Sequence, residues 1–338
     1  MRDQVLRIFM WILGISALVG NGFVVLWRIV PHSGRNQKKR GTGAVQSILV
    51  LNLALADGLM GVYMMIIAFA DLYYRGVYIV YAESWQESVY CKVAGFMSVL
   101  SSETSVFFMT LISIDRFISI VFPFSQAVLT PKKARISALL VWSLSLTLSI
   151  MPFLVRSYFG NGYYGRSSVC LALPLTTERP PGWQYSVILF LGVNLISFCI
   201  IFFCYTAIYI TVKVSSKKTT NTGQNRTQQI EFAMRMAFLV GTDFLCWMPI
   251  IIMGLLSLTN AATIPAIMYV WSAVFLLPVN SSLNPYLFTI LTREMNKHQM
   301  RKNTKTSTIK TKMLSTGNTT SDTFQSGKFH RRVFIVDC

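Results

Sequence analysis

Residues 92–121 read KVAGFMSVLSSETSVFFMTLISIDRFISIV. Charge enters only at Lys92, Glu103, Asp115 and Arg116, and the rest is apolar, small or hydroxylated. A helix needs about 20 predominantly apolar residues to cross roughly 30 Å of hydrocarbon, and this stretch exceeds that length. Six more such stretches lie near 6–29, 44–70, 134–155, 183–212, 232–258 and 264–291. Pro31, Gly34, Gly41 and Gly43 break the chain after the first, Pro123 and Pro131 after the third, and Pro180, Pro181 and Gly182 before the fifth. The first span is too long for a signal-peptide core and lacks a small-residue cleavage site, so it reads as a retained helix. The expected fold is all-α, a seven-transmembrane helix bundle over 6–291. A short extracellular segment, 1–5, precedes it, and a short amphipathic eighth helix over 292–302 and a disordered cytoplasmic tail over 303–338 follow it.

Composition agrees. Of 338 residues 53% are hydrophobic and 13% charged, a balance that water penalises and lipid tolerates. Lys and Arg number 31 against 13 Asp and Glu, a net charge of +18. Such an excess usually points to nucleic acid, but here the basic residues fall between membrane-length runs, and no nucleic-acid partner is expected. They also orient the chain. Arg35, Lys38, Lys39 and Arg40 follow the first span, Lys132, Lys133 and Arg135 the third, and Lys213, Lys217, Lys218 and Arg226 the fifth, whereas the alternate loops are poorer. Basic short loops stay cytoplasmic, which puts the N-terminus outside and the C-terminus inside. The six cysteines are too few and too scattered for a disulfide scaffold or zinc cluster. Cys91 opens the third span and Cys170 lies in the second outer loop; both face an oxidising compartment, where a disulfide is the default. Cys199, Cys204 and Cys246 sit in apolar runs as packing residues.

Ionisable groups within a bilayer cost several kcal/mol, roughly 2.5–3.5 at a span centre, and need a partner or a purpose. Asp57 lies mid-span in NLALAD, and Asn21, Ser105, Asn280, Ser281 and Asn284 are its candidate partners on other helices. Two readings stand: an interhelical hydrogen-bond glue, or a network linked to a sodium ion or a proton. Asp115 and Arg116 adjoin at the cytoplasmic end of the third span. Either the acid restrains the guanidinium until a partner takes it, or the two form a snorkelling interfacial pair. Pro249 in CWMP and Pro285 after Asn284 each remove a backbone hydrogen bond and kink their spans. Asp243, one turn before Trp247, is a second buried acid in need of a partner. No catalytic triad, phosphate loop or metal-ligand spacing occurs, and covalent catalysis is not expected.

These residues in this order resemble the rhodopsin-like class of G-protein-coupled receptors, from about Val5 to Met295. The carriers are Gly20-Asn21, Asn52 with Ala56-Asp57, Cys91, Asp115-Arg116, Trp142, Cys170, Cys246-Trp247-Met248-Pro249 and Asn284-Pro285. Within the class the chain is most similar to the leucine-rich-repeat-containing hormone receptors, especially the relaxin-receptor-like group. The segments that carry this are DLYYRG at 71–76, WQES at 85–88, LSSETSV at 100–106 and TDFLCW at 242–247. Two positions depart from the class. Phe117 follows the Asp-Arg pair in place of Tyr or Trp, and Phe288 stands where the seventh span usually ends in tyrosine.

The resemblance implies a multi-pass plasma-membrane receptor that passes an extracellular signal, from a peptide or protein hormone, to heterotrimeric G proteins. Arg116, restrained by Asp115, would meet the G protein, with Pro123 and Phe124 as a second dock. Asn21, Asp57, Ser105, Asn280, Ser281 and Asn284 would form the network, with sodium as a candidate allosteric ion and no other cofactor. Asp243, Trp247, Pro249, Pro285 and Phe288 would make the activation switch, and the Ser/Thr-rich tail would engage arrestin. The resembled group carries a large extracellular hormone-binding domain, whereas this chain begins a few residues before its first span. A non-signalling or truncated fragment of a larger leucine-rich-repeat receptor is therefore one alternative. An ion or proton carrier using Asp57, Glu103 and Asp243 as a relay is another.

Overall fold

The computed structural model describes residues 4–30, 42–160, 162–171, 180–216, 224–259, 261, 264–265, 268, 271–276 and 278–286. Their regular structure is entirely helical. The long helices are α1 (Gln4–Ile29), α2 (Thr42–Tyr73), α4 (Val89–Val121), α5 (Pro131–Leu154), α8 (Asn194–Ser216) and α9 (Gln224–Leu258). Shorter pieces are α3 (Tyr78–Glu87), α6 (Arg156–Phe159) and α7 (Trp183–Val187), the last joined to α8 through a π-helical stretch, Ile188–Val193. Six helices among the described residues are long and apolar enough to span a membrane. Within the seventh expected span, 264–291, Ser272–Leu276 is π-helical and 278–286 is helical. The expected eighth helix, 292–302, and the tail, 303–338, lie outside the described residues, as does the basic loop 31–41.

Local chemistry accounts for the starts. Ser88 caps α4 by accepting the Cys91 N–H at 3.1 Å, and Thr130 caps α5 by accepting from Lys133 at 3.3 Å, with Pro131 in the first turn where its missing N–H costs nothing. Hydropathy placed the sixth span at 232–258, yet α9 begins eight positions earlier at Gln224. The added segment, QNRTQQIE, is polar but helix-compatible, so a search for apolar length passes over it. α3 was likewise unforeseen, being too short and mixed to register as a span.

α4 is the axial helix, packing on α2, α5, α8 and α9. Helix α1 packs on α2 and exposes Ile8, Ile12, Ile15, Val19, Phe23 and Leu26 along one stripe. A stripe of that kind suits lipid and would be costly in water. The α1–α2 approach is close: a Cβ on Gly61 would lie 2.6 Å from the Leu18 backbone nitrogen. Small residues permit such contacts between membrane helices. Across the bundle, Trp142 Nε1 of α5 donates to Asn52 Oδ1 of α2 at 3.0 Å.

Candidate functional site

At mid-bundle, Asp57 of α2 is fully buried. Its Oδ1 accepts from Ser105 Oγ of α4 at 2.9 Å and from Ser281 Oγ at 3.0 Å, and its Oδ2 accepts from Asn284 Nδ2 at 2.7 Å. Asn21 of α1 joins from the side, donating Nδ2 to the Ser281 carbonyl at 2.8 Å. Asn280 turns elsewhere: its Nδ2 donates to Asp243 Oδ1 of α9 at 2.5 Å, which supplies the partner that second acid required. Residues 280, 281 and 284 share one helix face, so both buried carboxylates are held by a single segment. The cluster is rich in acceptors. Asn21 Oδ1, Asn280 Oδ1, Asn284 Oδ1 and Asp243 Oδ2 are buried and have no hydrogen-bond partner among the described residues. Buried oxygens of this kind are ordinarily met by a donor, a bound water or a cation.

At one end of α4, Asp115 and Arg116 are both buried to 2% exposure, and the guanidinium folds back onto Asp115 through its Nε, at 3.1 Å, and one terminal nitrogen. Just beyond, Ile120 of α4, Ile208 of α8 and Ala233 of α9 form a closed apolar plug, with Phe117, Tyr205 and Val212 packed against it. Tyr205 lies beside Ser113 and Arg116, its hydroxyl shielded and without a well-aligned hydrogen bond. Pro123 and Phe124 follow α4 on the surface, and Phe124 is 99% exposed.

One turn beyond Asp243, on the side of the polar cluster away from the plug, Trp247 of α9 is buried and stacks on Phe190, which belongs to the π-helical stretch, with ring centroids 6.1 Å apart. Pro249 lies inside α9 two residues on, so the backbone hydrogen bond it removes falls next to this contact. Pro285 is buried beside α1, where a Cβ on Gly20 would meet its ring at 2.9 Å. Phe288 lies outside the described residues.

At the opposite end of α4, Cys91 and Cys170 are disulfide-bonded. Cys170 has a positive φ of 53°, a left-handed backbone that an ordinary residue adopts at a cost and that the cross-link holds. The loop is stapled further by Tyr63 Oη donating to the Val169 carbonyl at 2.9 Å, Trp85 Nε1 to the Ser168 carbonyl at 3.0 Å and Tyr164 Oη to the Ser149 carbonyl at 2.6 Å. Gly95 makes room for Tyr164, whose ring a Cβ there would approach to 2.6 Å or less. Because the disulfide closes a separation of 79 residues, replacing Cys91 or Cys170 by serine is expected to cost about 4 kcal/mol. Thermal melting of the purified protein in detergent measures it, and an unchanged melting temperature would remove the disulfide from the account.

The sequence reading missed three contributors. Asn194, at the junction of the π-helical stretch and α8, donates to Glu103 Oε1 at 3.5 Å, and Glu103 Oε2 and Asn194 Oδ1 are both buried without another partner among the described residues. An inventory of every amide inside a span would have found it. Tyr205 and Ala233 carry no signal in sequence, because a tyrosine and an alanine in apolar runs are ordinary packing residues.

The family profile described as "7 transmembrane receptor (rhodopsin family)" matches residues 20–288, and the chain belongs to that family. It is 44% identical to G-protein coupled receptor GRL101 of Lymnaea stagnalis over 86% of its own length and 25% of that protein's. It is 36% identical to relaxin receptor 2 of Canis lupus familiaris over 93% of the chain and 42% of that receptor, and 36% identical to relaxin receptor 1 of Mus musculus over 87% and 38%. The chain thus spans a quarter to about two-fifths of the length of these relatives.

Proposed function

We propose that the chain is the transducing part of a plasma-membrane receptor, with the disulfide end outside and Arg116 at the cytoplasmic face, which answers a peptide or protein hormone by activating a heterotrimeric G protein. The observation that carries this is the paired and plugged end of α4. Asp115 holds Arg116 inward, and the Ile120–Ile208–Ala233 plug shuts the space that a G-protein helix would need. Movement of α9 about Pro249 would break the plug and free the guanidinium as a bidentate donor. The exposed ring of Phe124, with Pro123, is a second contact for the G protein. Arrestin, engaging the Ser/Thr-rich tail, would compete at the same face.

In the same reading, the acceptor-rich cluster around Asp57 takes a sodium ion in the resting state. Asn21, Asp57, Ser105, Ser281 and Asn284 would hold it, with Asp243 and Asn280 bordering it, and the ion would supply the positive charge that the buried carboxylates lack. The direct test is guanine-nucleotide exchange on purified heterotrimers of each G-protein class, driven by the protein in nanodiscs. The reading expects faster exchange with at least one class. No acceleration with any of them, together with proton flux in sealed liposomes, would establish the carrier instead. A bulky residue at Ala233 should prise the plug apart. Ala233→Phe is expected to raise basal exchange severalfold, because overpacking costs about 1–3 kcal/mol and falls on the closed state alone.

A further inference from the structure

A cleft of about 370 Å³ opens at the disulfide end between α1, α2 and α3, lined among others by Asp71, Tyr74, Arg75, Tyr78, Trp85 and Ser168. That volume lies within the range of about 300–1,000 Å³ of small-ligand sites. Its charge is asymmetric. Asp71 is engaged by Arg7 Nε at 2.6 Å, an ion pair that ties α1 to α2 and neutralises the one carboxylate among the described residues of the wall. Arg75 is then the surplus cation, exposed on the wall of the cleft. Tyr78 also lines the cleft, while its hydroxyl is shielded from solvent near the Gln86 and Ser168 side chains. Tyr74 and Trp85 stand with ring centroids 6.0 Å apart, and Trp85 is fixed by its bond to the Ser168 carbonyl.

We infer that this cleft is a second recognition site, distinct from the polar cluster in mid-bundle, and that it takes an aromatic carboxylate: an apolar ring seated among Tyr74, Tyr78 and Trp85 with its acid on Arg75. A guanidinium binds a carboxylate through two parallel N–H groups, and aromatic walls accept a planar ring without specific hydrogen bonds. A hormone segment that pairs an acidic residue with an aromatic one presents this chemistry. The inference deepens the proposed receptor role and rests on it only for the side from which the ligand arrives.

Fluorine NMR tests it on the full chain in nanodiscs, with para-fluorophenylacetate as the probe, para-fluorophenethylamine as its oppositely charged counterpart and empty nanodiscs as the blank. Saturable binding of the acid and not of the amine is expected. Arg75→Gln is expected to weaken it roughly tenfold or more, since a charge-assisted pair is lost, while Lys92→Gln, on the wall of another cleft, leaves it unchanged. Equal binding of acid and amine, or equal loss with Lys92→Gln, would overturn the site and leave only unspecific charge or ring contact. No step requires a G protein, so probe binding without nucleotide exchange would defeat the coupling proposal alone, and exchange without probe binding would defeat this site alone.

Discussion

Asp115→Asn is expected to raise ligand-free nucleotide exchange by roughly tenfold, and Arg116→Ala to bring it below the parent. The pair is buried, and burial makes the two substitutions unequal. Removing the carboxylate leaves a guanidinium in a low-dielectric pocket with its closest negative charge gone, a state that costs several kcal/mol, roughly 3–5, unless the side chain finds water or a new acceptor. Opening the plug offers both, so the substitution drives the open state. Removing the guanidinium also releases the restraint, but it deletes the contact that the G protein would use, worth about 1.5–3 kcal/mol for a hydrogen bond to a charged group. A snorkelling pair with no role in coupling gives two variants with the parent's rate.

Asp57→Asn is expected to abolish a dependence on sodium. The parent should melt at a higher temperature in sodium than in the same concentration of choline, and its agonist affinity should fall in sodium, because an ion that binds only the resting state stabilises that state by mass action. In the variant both differences should vanish. The change replaces one acceptor by a donor facing donors: Asn284 Nδ2 donates a hydrogen bond to Oδ2, whereas Ser105 and Ser281 can rotate their hydroxyls. Surface expression should survive because the serine contacts adapt. A parent indifferent to sodium and choline would reduce the cluster to interhelical glue.

The spans were legible because lipid imposes a length that few other environments demand, and the run 92–121 falls within α4, Val89–Val121. The Cys91–Cys170 bond was legible from compartment and position. Helix geometry set the limit within the polar cluster. Positions 280, 281 and 284 lie on one face, so sequence placed all three near a buried acid but could not divide them between Asp57 and Asp243; that division follows from how α2 and α9 are set around the segment. The Glu103–Asn194 contact depends on the π-helical stretch Ile188–Val193, whose wider turn rotates everything after it and which residue type does not announce. The plug depends on Ala233 being small enough to let α9 approach Ile120 and Ile208, a matter of shape with no chemical marker.

When a G protein binds, α9 is expected to move away from α4 at the Arg116 end. Spin labels in place of Ile136 on α5 and Met234 on α9, both more than half exposed, report on that end without touching the plug or the ion pair. Double electron–electron resonance in nanodiscs, before and after adding nucleotide-free heterotrimer, is the most direct measurement. The main distance is expected to lengthen by roughly 5 Å or more, the scale of a one-turn helix displacement, and to do so in part without G protein in Asp115→Asn. A distance distribution that stays the same with bound heterotrimer would contradict it.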